Sequence, residues 1–234
     1  MADAEKENLK RDAAYVAVSR FVESGMTVGL GTGTTASWVV KRIEEKLASG
    51  ELSDIVGVPT SESTAALARG AAIPLAALDE SRPHITIDGA DEISPSLDVV
   101  KGRGGALLRE KIVAHASEDG LVIVADESKL YDSLGDGPLP VEAEPFGWRA
   151  TLEALRSLGC EPELHRVESQ PFVTDGGHYT IDCLFDGGVP DPKSLEAEIK
   201  EIPGALECGL FVGLARAVVV AKLDGVEVIE AKSR

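Results

Sequence analysis

The chain has 234 residues, 44% of them hydrophobic and 27% charged, which is enough for one large domain or a domain with a smaller companion. Its 40 acidic against 23 basic residues give a formal net charge of -17, which argues against a nucleic-acid partner and requires any anion site to be built from local cations and backbone N–H groups. No apolar run reaches membrane-spanning length, and the opening MADAEKENLK is not a signal peptide, so a cytoplasmic protein with no membrane partner is expected.

Residues 4–21 carry Leu9, Ala13, Val16, Ala17 and Phe21 at helical spacing. TVGL (27–30) reads as a short buried strand, followed by the glycine–threonine loop GTGTTA. A helix with Val39, Ile43 and Leu47 on one stripe runs to Gly50. DIVGV (54–58) is a second strand and SESTAALARG a capped helix. PLAAL (74–78), HITI (84–87) and VV (99–100) read as strands. A helix over about 105–117 and the strand LVIVA (121–125) follow.

The pattern changes near residue 131, where YDSLGDGPLP is a linker by composition. LPVEA, GWRATLEALRSLG, ELHRV, a hairpin around DGG, PKSLEAEIKEI and ALECGLF give a split β-α-β order. ARAVVVAKLDGVEVIEA is a hairpin turning at Asp224-Gly225. The expected fold class is α/β. A Rossmann-like, mostly parallel sheet domain (1–130 plus 208–234) carries an inserted, smaller α+β, ferredoxin-like domain (131–207).

Cys160, Cys183 and Cys208 are widely spaced without a CxxC pair, so buried thiols are expected rather than disulfides or zinc. His84, His115, His165 and His178 show no metal-ligand spacing. The acidic residues are spread along the whole chain, which fits either a high-salt habitat or an ordinary acidic surface.

Three polar motifs fall at the carboxyl ends of strands, where parallel sheets bind ligands. In the first, Gly31, Gly33 and Ala36 fit a loose dinucleotide pattern, but the second strand ends in Val58-Pro59-Thr60-Ser61 without the acid that would hold a ribose. No lysine follows the glycines, so a P-loop is excluded. What remains is bare backbone and the hydroxyls of Thr32, Thr34 and Thr35 opening a helix, which suits one terminal phosphate or a simple helix cap.

In the second motif, ITIDGADEI, Asp88, Asp91 and Glu92 lie around Gly89 and Ala90. Acids so close are expected to raise one another's pKa for proton transfer, to hold Mg²⁺, or to cap a turn. In the third, KGRGGALLREKIVA, Lys101 precedes a loop of Gly102, Arg103 and Gly104 whose N–H groups suit developing negative charge, and Glu110 follows on a helix. Arg109 and Lys111 flank Glu110, so pattern alone reads it as a solvated face.

With these residues laid out, the chain resembles the ribose-5-phosphate isomerase family of the A type. The resemblance runs nearly end to end through GTGTTA, PTSEST, DGADEI, KGRGGALLREKIVA, ADESKL, LPVEAEPF, TDGGHYTIDC and EIPGALECGLF. It implies interconversion of D-ribose 5-phosphate and D-ribulose 5-phosphate through an enediolate, without metal or organic cofactor, by a homodimer or homotetramer. It makes Glu110 the proton-transferring base, Asp88 the residue that helps open the ring with Asp91 beside it, and Lys101 the stabiliser of the enediolate oxygen. Lys10, Thr32, Gly33, Thr34, Thr35 and Lys129 would surround phosphate and sugar, with Gly89, Ala90, Gly102, Arg103 and Gly104 lining the substrate. Arg103 departs from the commonly all-glycine loop, and its side chain is expected to face solvent or a neighbouring carboxylate. A non-catalytic sugar-phosphate sensor and a nicotinamide-dependent dehydrogenase are the competing readings. The first lacks a visible DNA-binding module, and the second lacks its ribose acid.

Overall fold

A computed structural model describes residues 3–231. In chain order its elements are α1 (Asp3–Phe21), β1 (Thr27–Leu30), α2 (Thr34–Ser49), β2 (Val56–Pro59), α3 (Glu62–Gly70), β3 (Ile85–Gly89), β4 (Glu92–Ile93), β5 (Val99–Val100), α4 (Leu107–Ala116) and β6 (Leu121–Asp126). There follow β7 (Leu139–Ala143), α5 (Trp148–Arg156), β8 (Cys160–Leu164), β9 (Arg166–Val167), β10 (Gln170–Pro171), β11 (Tyr179–Phe185), α6 (Pro192–Lys200), β12 (Ala205–Cys208), β13 (Leu210–Phe211), β14 (Ala215–Lys222) and β15 (Gly225–Glu230). Among the described residues, no helix is long and apolar enough to cross a membrane.

The chain divides into two units, residues 1–90 with 109–130 and 213–234, and residues 91–108 with 131–212. The first holds a six-stranded sheet in the order β15-β14-β6-β3-β1-β2. All neighbours are parallel except the terminal β14–β15 hairpin. Strands β1, β3 and β6 are buried along their whole length, as a sheet covered on both faces requires. On one face Val28, Leu30, Ile85, Ile87, Val122 and Val124 pack with Leu9, Ala13, Ala17, Val39 and Ile43 of α1 and α2. Strand order reverses between β1 and β3, since the chain leaves β1 for β2 on one side and returns to β3 on the other. Open α/β sheets bind their ligands outside the carboxyl ends of the strands at such a point.

In the second unit the sheet order β12-β7-β11-β8 is antiparallel throughout, with α5 and α6 as the two crossovers, which is the ferredoxin-like arrangement. Its core includes Leu139, Val141, Leu155, Ile181 and Ile199. The three cysteines are buried thiols here.

The observed partition differs from the sequence-based boundaries at residues 91–108 and 208–212, which group with the second unit. The reason is a small sheet, β13-β5-β4, in which Leu210 pairs with Val100 and Phe211 with Val99. Two-residue strands paired over such a sequence separation leave no periodic signal. PLAAL forms a single bridge, Leu75 to Gly57, because the next ladder bond along it would need a donor at Pro59, which has no N–H. The DGG arm likewise pairs only at Val173–Tyr179, since β7 and β8 already occupy both edges of β11. The terminal hairpin pairs Lys222 with Gly225, so Leu223 and Asp224 form its tip, one residue earlier than expected.

Candidate active site

In the first unit, the carboxyl ends of β1, β3 and β6 present the expected residues. After β1 the chain stays tied to β3 through the Gly31 N–H on Ile87 O at 3.0 Å. Thr32 then donates its N–H to Asp88 Oδ1 at 3.2 Å, and Gly89 N–H donates to the same oxygen at 2.7 Å. Asp88 is therefore a buried carboxylate held by two backbone donors at the point where strand order reverses.

The threonines do not cap α2. Its N-cap is Gly33, with φ 99° and no side-chain cap bond, so the helix opens on a residue without a side chain. The hydroxyls have other partners. Lys10 Nζ donates to Thr34 Oγ1 at 3.1 Å and to Glu7 Oε1 at 2.7 Å. Those bonds from Lys10, with one from Trp38 Nε1, hold the Glu7 carboxyl below the usual glutamate range. Thr35 lies beside Gly89. Asp126 ends β6, is buried, and accepts from Ser128 N–H at 3.0 Å, capping the 3-10 turn Glu127–Lys129 that carries Lys129.

Thr32 Oγ1 belongs to a network that the motif reading did not assign to the site. It lies 2.8 Å from Thr60 Oγ1, 2.9 Å from Ser61 Oγ and 3.4 Å from Thr64 Oγ1. Thr64 Oγ1 in turn donates to Gly31 O at 2.8 Å. The signal in the sequence is PTSEST, whose hydroxyls by pattern alone mark a strand end and a helix cap. Ser61 does cap α3, accepting Thr64 N–H at 3.1 Å. The tip of β2 thus braces the threonine loop and presents no carboxylate for a dinucleotide ribose.

Glu110 lies in the first turn of α4 and is only 4% exposed, which overturns the solvated-face reading. Its flanking Arg109 turns to Glu62 at 3.1 Å. The far end of α4 sits at the amino end of β3, where Glu118 N–H reaches Pro83 O at 3.0 Å, Asp119 N–H reaches His84 O at 2.7 Å and Ser117 Oγ lies 2.6 Å from Thr86 Oγ1. The helix therefore runs antiparallel to the strands, and its first turn lies at their carboxyl ends. Thr86 and Asp88 project to the same face of β3, the face that α4 covers. Glu110 and Asp88 thus share one face and one end of this sheet.

The second unit holds the other expected residues. Lys101 is 3% exposed, its Nζ 5.7 Å from the centre of the Phe211 ring, and its N–H donates to Gly209 O at 2.8 Å. Gly102 (φ 100°) folds the loop back onto Leu107, and Gly104 is exposed. Half-buried Ala90 ends the first stretch of the first unit, and the second unit begins with Asp91, whose Oδ2 accepts Arg103 N–H at 3.1 Å. The Arg103 side chain turns to Pro138 O, 3.0 Å from Nε, and to the Glu92 carboxylate, the neighbouring carboxylate it was expected to face.

Glu92 departs from the expectation of mutually raised acids. Burial alone would push its carboxyl up, but the N–H groups of Gly137 and Gly135 and the Arg103 guanidinium outweigh burial and hold it below the usual range. Among the described residues, the group that brings three potential metal-ligand atoms within 4.8 Å of one another is Glu196, Glu207 and Cys208. It lies outside the DGADE turn, and Lys200 already answers Glu207 at 3.2 Å.

Comparison with known proteins decides the family. The family described as ribose 5-phosphate isomerase A (phosphoriboisomerase A) matches residues 56–225. The chain belongs to the ribose 5-phosphate isomerase A family. A ribose-5-phosphate isomerase A from Gloeobacter violaceus is 53% identical over 224 residues, covering 94% of this chain and 95% of that protein. The ribose 5-phosphate isomerase structure from Plasmodium falciparum superposes with a TM-score of 0.93 at 40% identity, covering 97% of this chain and 100% of that one. A D-ribose-5-phosphate isomerase solved in complex with phospho-erythronic acid gives a TM-score of 0.92 at 40% identity, covering 96% of this chain and 99% of that one. These family relatives span the whole architecture, the inserted ferredoxin-like unit included.

Proposed function

We propose that this chain interconverts ribose 5-phosphate and ribulose 5-phosphate, with Glu110 as the base that moves the proton. The observation that carries the reading is the burial of Glu110 in the first turn of α4, on the face and end of the sheet that hold Asp88. An aldose–ketose shift needs one base that removes a proton beside a carbonyl and returns it to the neighbouring carbon, and one carboxylate serves both transfers.

In the open-chain aldose, Glu110 takes the proton from C2, and the electron pair of that bond forms the C1–C2 double bond of the enediolate. Lys101 and the N–H groups of its glycine loop stabilise the oxygen that becomes negative. The same proton returns to C1 as the C2 hydroxyl proton passes to O1, which leaves a hydroxyl on C1 and the carbonyl on C2. Asp88, with Asp91 beside it, exchanges a proton with the ring oxygen and hydroxyl during ring opening. The phosphate sits at the glycine-capped start of α2, beside Lys10, Thr34 and Thr35, with Lys129 on the sugar side. That remote handle supplies binding energy that holds the reacting carbons still. The ligand of the phospho-erythronic acid complex fits this reading chemically: it is a phosphorylated sugar acid whose planar, negatively charged carboxylate resembles the planar, negatively charged O–C=C–O group of an enediolate. A homodimer or homotetramer in the cytoplasm is the expected setting.

The test is incubation with ribose 5-phosphate alone. Ketose formed without added cofactor supports the isomerase. Binding without product would support a sensor, and a requirement for a nicotinamide would support a dehydrogenase.

A further inference from the structure

The Lys101 loop is held by an assembly that neither the motif nor the proposed proton transfer accounts for. Glu92 is fully buried, with 0% exposure. Its Oε2 accepts the N–H groups of Gly135 at 2.6 Å and Asp136 at 3.3 Å, and its Oε1 accepts that of Gly137 at 2.9 Å. The Arg103 guanidinium completes the set on Oε1. Arg103 also spans to Pro138 O, and its backbone N–H is taken by Asp91. Glycine at 137 leaves room for the guanidinium where it stands: a Cβ there would lie 2.7 Å from an Arg103 terminal nitrogen. One carboxylate thus ties three chain segments together: the DGADE turn, the KGRGG loop and the 135–138 turn.

A buried carboxylate with four donors is costly to disturb and admits few arrangements of its partners. A loop of glycines has no such restriction of its own, because glycine gives up more backbone freedom on ordering than any other residue. We propose that the Glu92–Arg103 pair is a positioning device for the Lys101 loop, replacing backbone freedom with a side-chain strut anchored on residues 135–138. Arg103 acts through the placement of Lys101 and the Gly102 and Gly104 N–H groups and does not touch the substrate. The kinetic part of this inference rests on the isomerase reading; the structural part does not.

The experiment uses the full chain and three variants: Arg103→Gly, Arg103→Lys and Glu92→Gln, with the double variant Glu92→Gln/Arg103→Gly. Two readouts are taken on each: kcat and KM with ribose 5-phosphate, and amide hydrogen exchange at 101–105 and 135–137. Arg103→Gly is expected to lower kcat about 10- to 100-fold while KM stays within about threefold, with Arg103→Lys restoring part of the loss. Exchange should speed up at both segments together in Arg103→Gly and Glu92→Gln, and the double variant should be no worse than the worse single one. Unchanged exchange at 101–105 in Arg103→Gly, or faster exchange there with undiminished kcat, overturns the proposal. If the unaltered chain turns over no ribose 5-phosphate yet the two segments loosen together, the isomerase reading falls and the strut stands.

Discussion

Gly31 and Asp88 occupy one space at the point where the strand order of the sheet reverses. A Cβ on Gly31 would lie 2.1 Å from Asp88 Oδ1 and 2.2 Å from its carboxyl carbon. The absence of a side chain at 31 is what lets Asp88 stand upright between the N–H groups of Thr32 and Gly89. Gly31→Ala should therefore turn the Asp88 carboxylate out of place. The expected stability cost is about 1–3 kcal/mol, from overpacking at a buried site. The loss of turnover should exceed what the unfolded fraction explains. Melting temperature and kcat on the same preparation check this; a stable variant with full kcat would remove Asp88 from ring opening.

Glu110→Gln keeps the shape of the side chain and removes the base. Turnover of ribose 5-phosphate should fall about 10²- to 10⁴-fold, with KM changed only severalfold. Exchange of the C2 proton with deuterated solvent should fall in parallel. A variant that still washes out the C2 proton at the normal rate would require another base.

Much of this architecture can be read from residue order, because strands alternating with amphipathic helices leave strong periodic signals. The threonine loop and the DGADE and lysine–glycine motifs are contiguous, so their chemistry is visible before any fold is known. What escapes is whatever depends on which strands become neighbours. Thr32 meets Thr60, Ser61 and Thr64 only because β1 and β2 pair in parallel. Glu92 looks like a third active acid until the distant Gly135–Gly137 turn closes on it. Glu110, between Arg109 and Lys111, has the pattern of an exposed helix face, and its burial follows from where the α4 crossover must lie. The 91–108 segment changes unit because residues 210–211 supply its third strand.

Lys10 reaches Thr34 from another helix, and Glu7 fixes its ammonium. If the phosphate binds at the start of α2, Lys10→Met should raise KM for ribose 5-phosphate about 10- to 100-fold, the range of one hydrogen bond to a charged group. Any conversion of unphosphorylated ribose should be unaffected. Equal losses on both substrates would place Lys10 elsewhere than at the phosphate.

The net charge of -17 is spread along the chain, so like-charge repulsion acts on the folded state at low ionic strength. Salt screens that repulsion over a Debye length of about 10 Å at 0.1 M and about 3 Å at 1 M. The melting temperature should rise between those two concentrations of potassium chloride and continue to rise in molar salt if the surface is an adaptation to a salt-rich setting. A melting temperature that gains nothing further in molar salt would leave an ordinary acidic surface.

Glu92 gives stability a specific pH signature. Its carboxyl titrates below the ordinary value of 4.5, since the bonds from Gly137, Arg103 and Gly135 outweigh the upward push of burial. A carboxyl whose folded pKa is depressed contributes stability in full above its unfolded value and loses it as pH falls through the folded value. The Glu92 contribution should therefore be complete above about pH 4.5 and vanish progressively in more acid solution. Glu92→Gln removes that titration while leaving every other carboxylate in common. The gap in melting temperature between the parent chain and Glu92→Gln should be wide and flat from roughly pH 7 to pH 5 and narrow steadily toward pH 3. A gap of constant width across that range would mean that Glu92 carries no ionic share of the network and acts only through its shape.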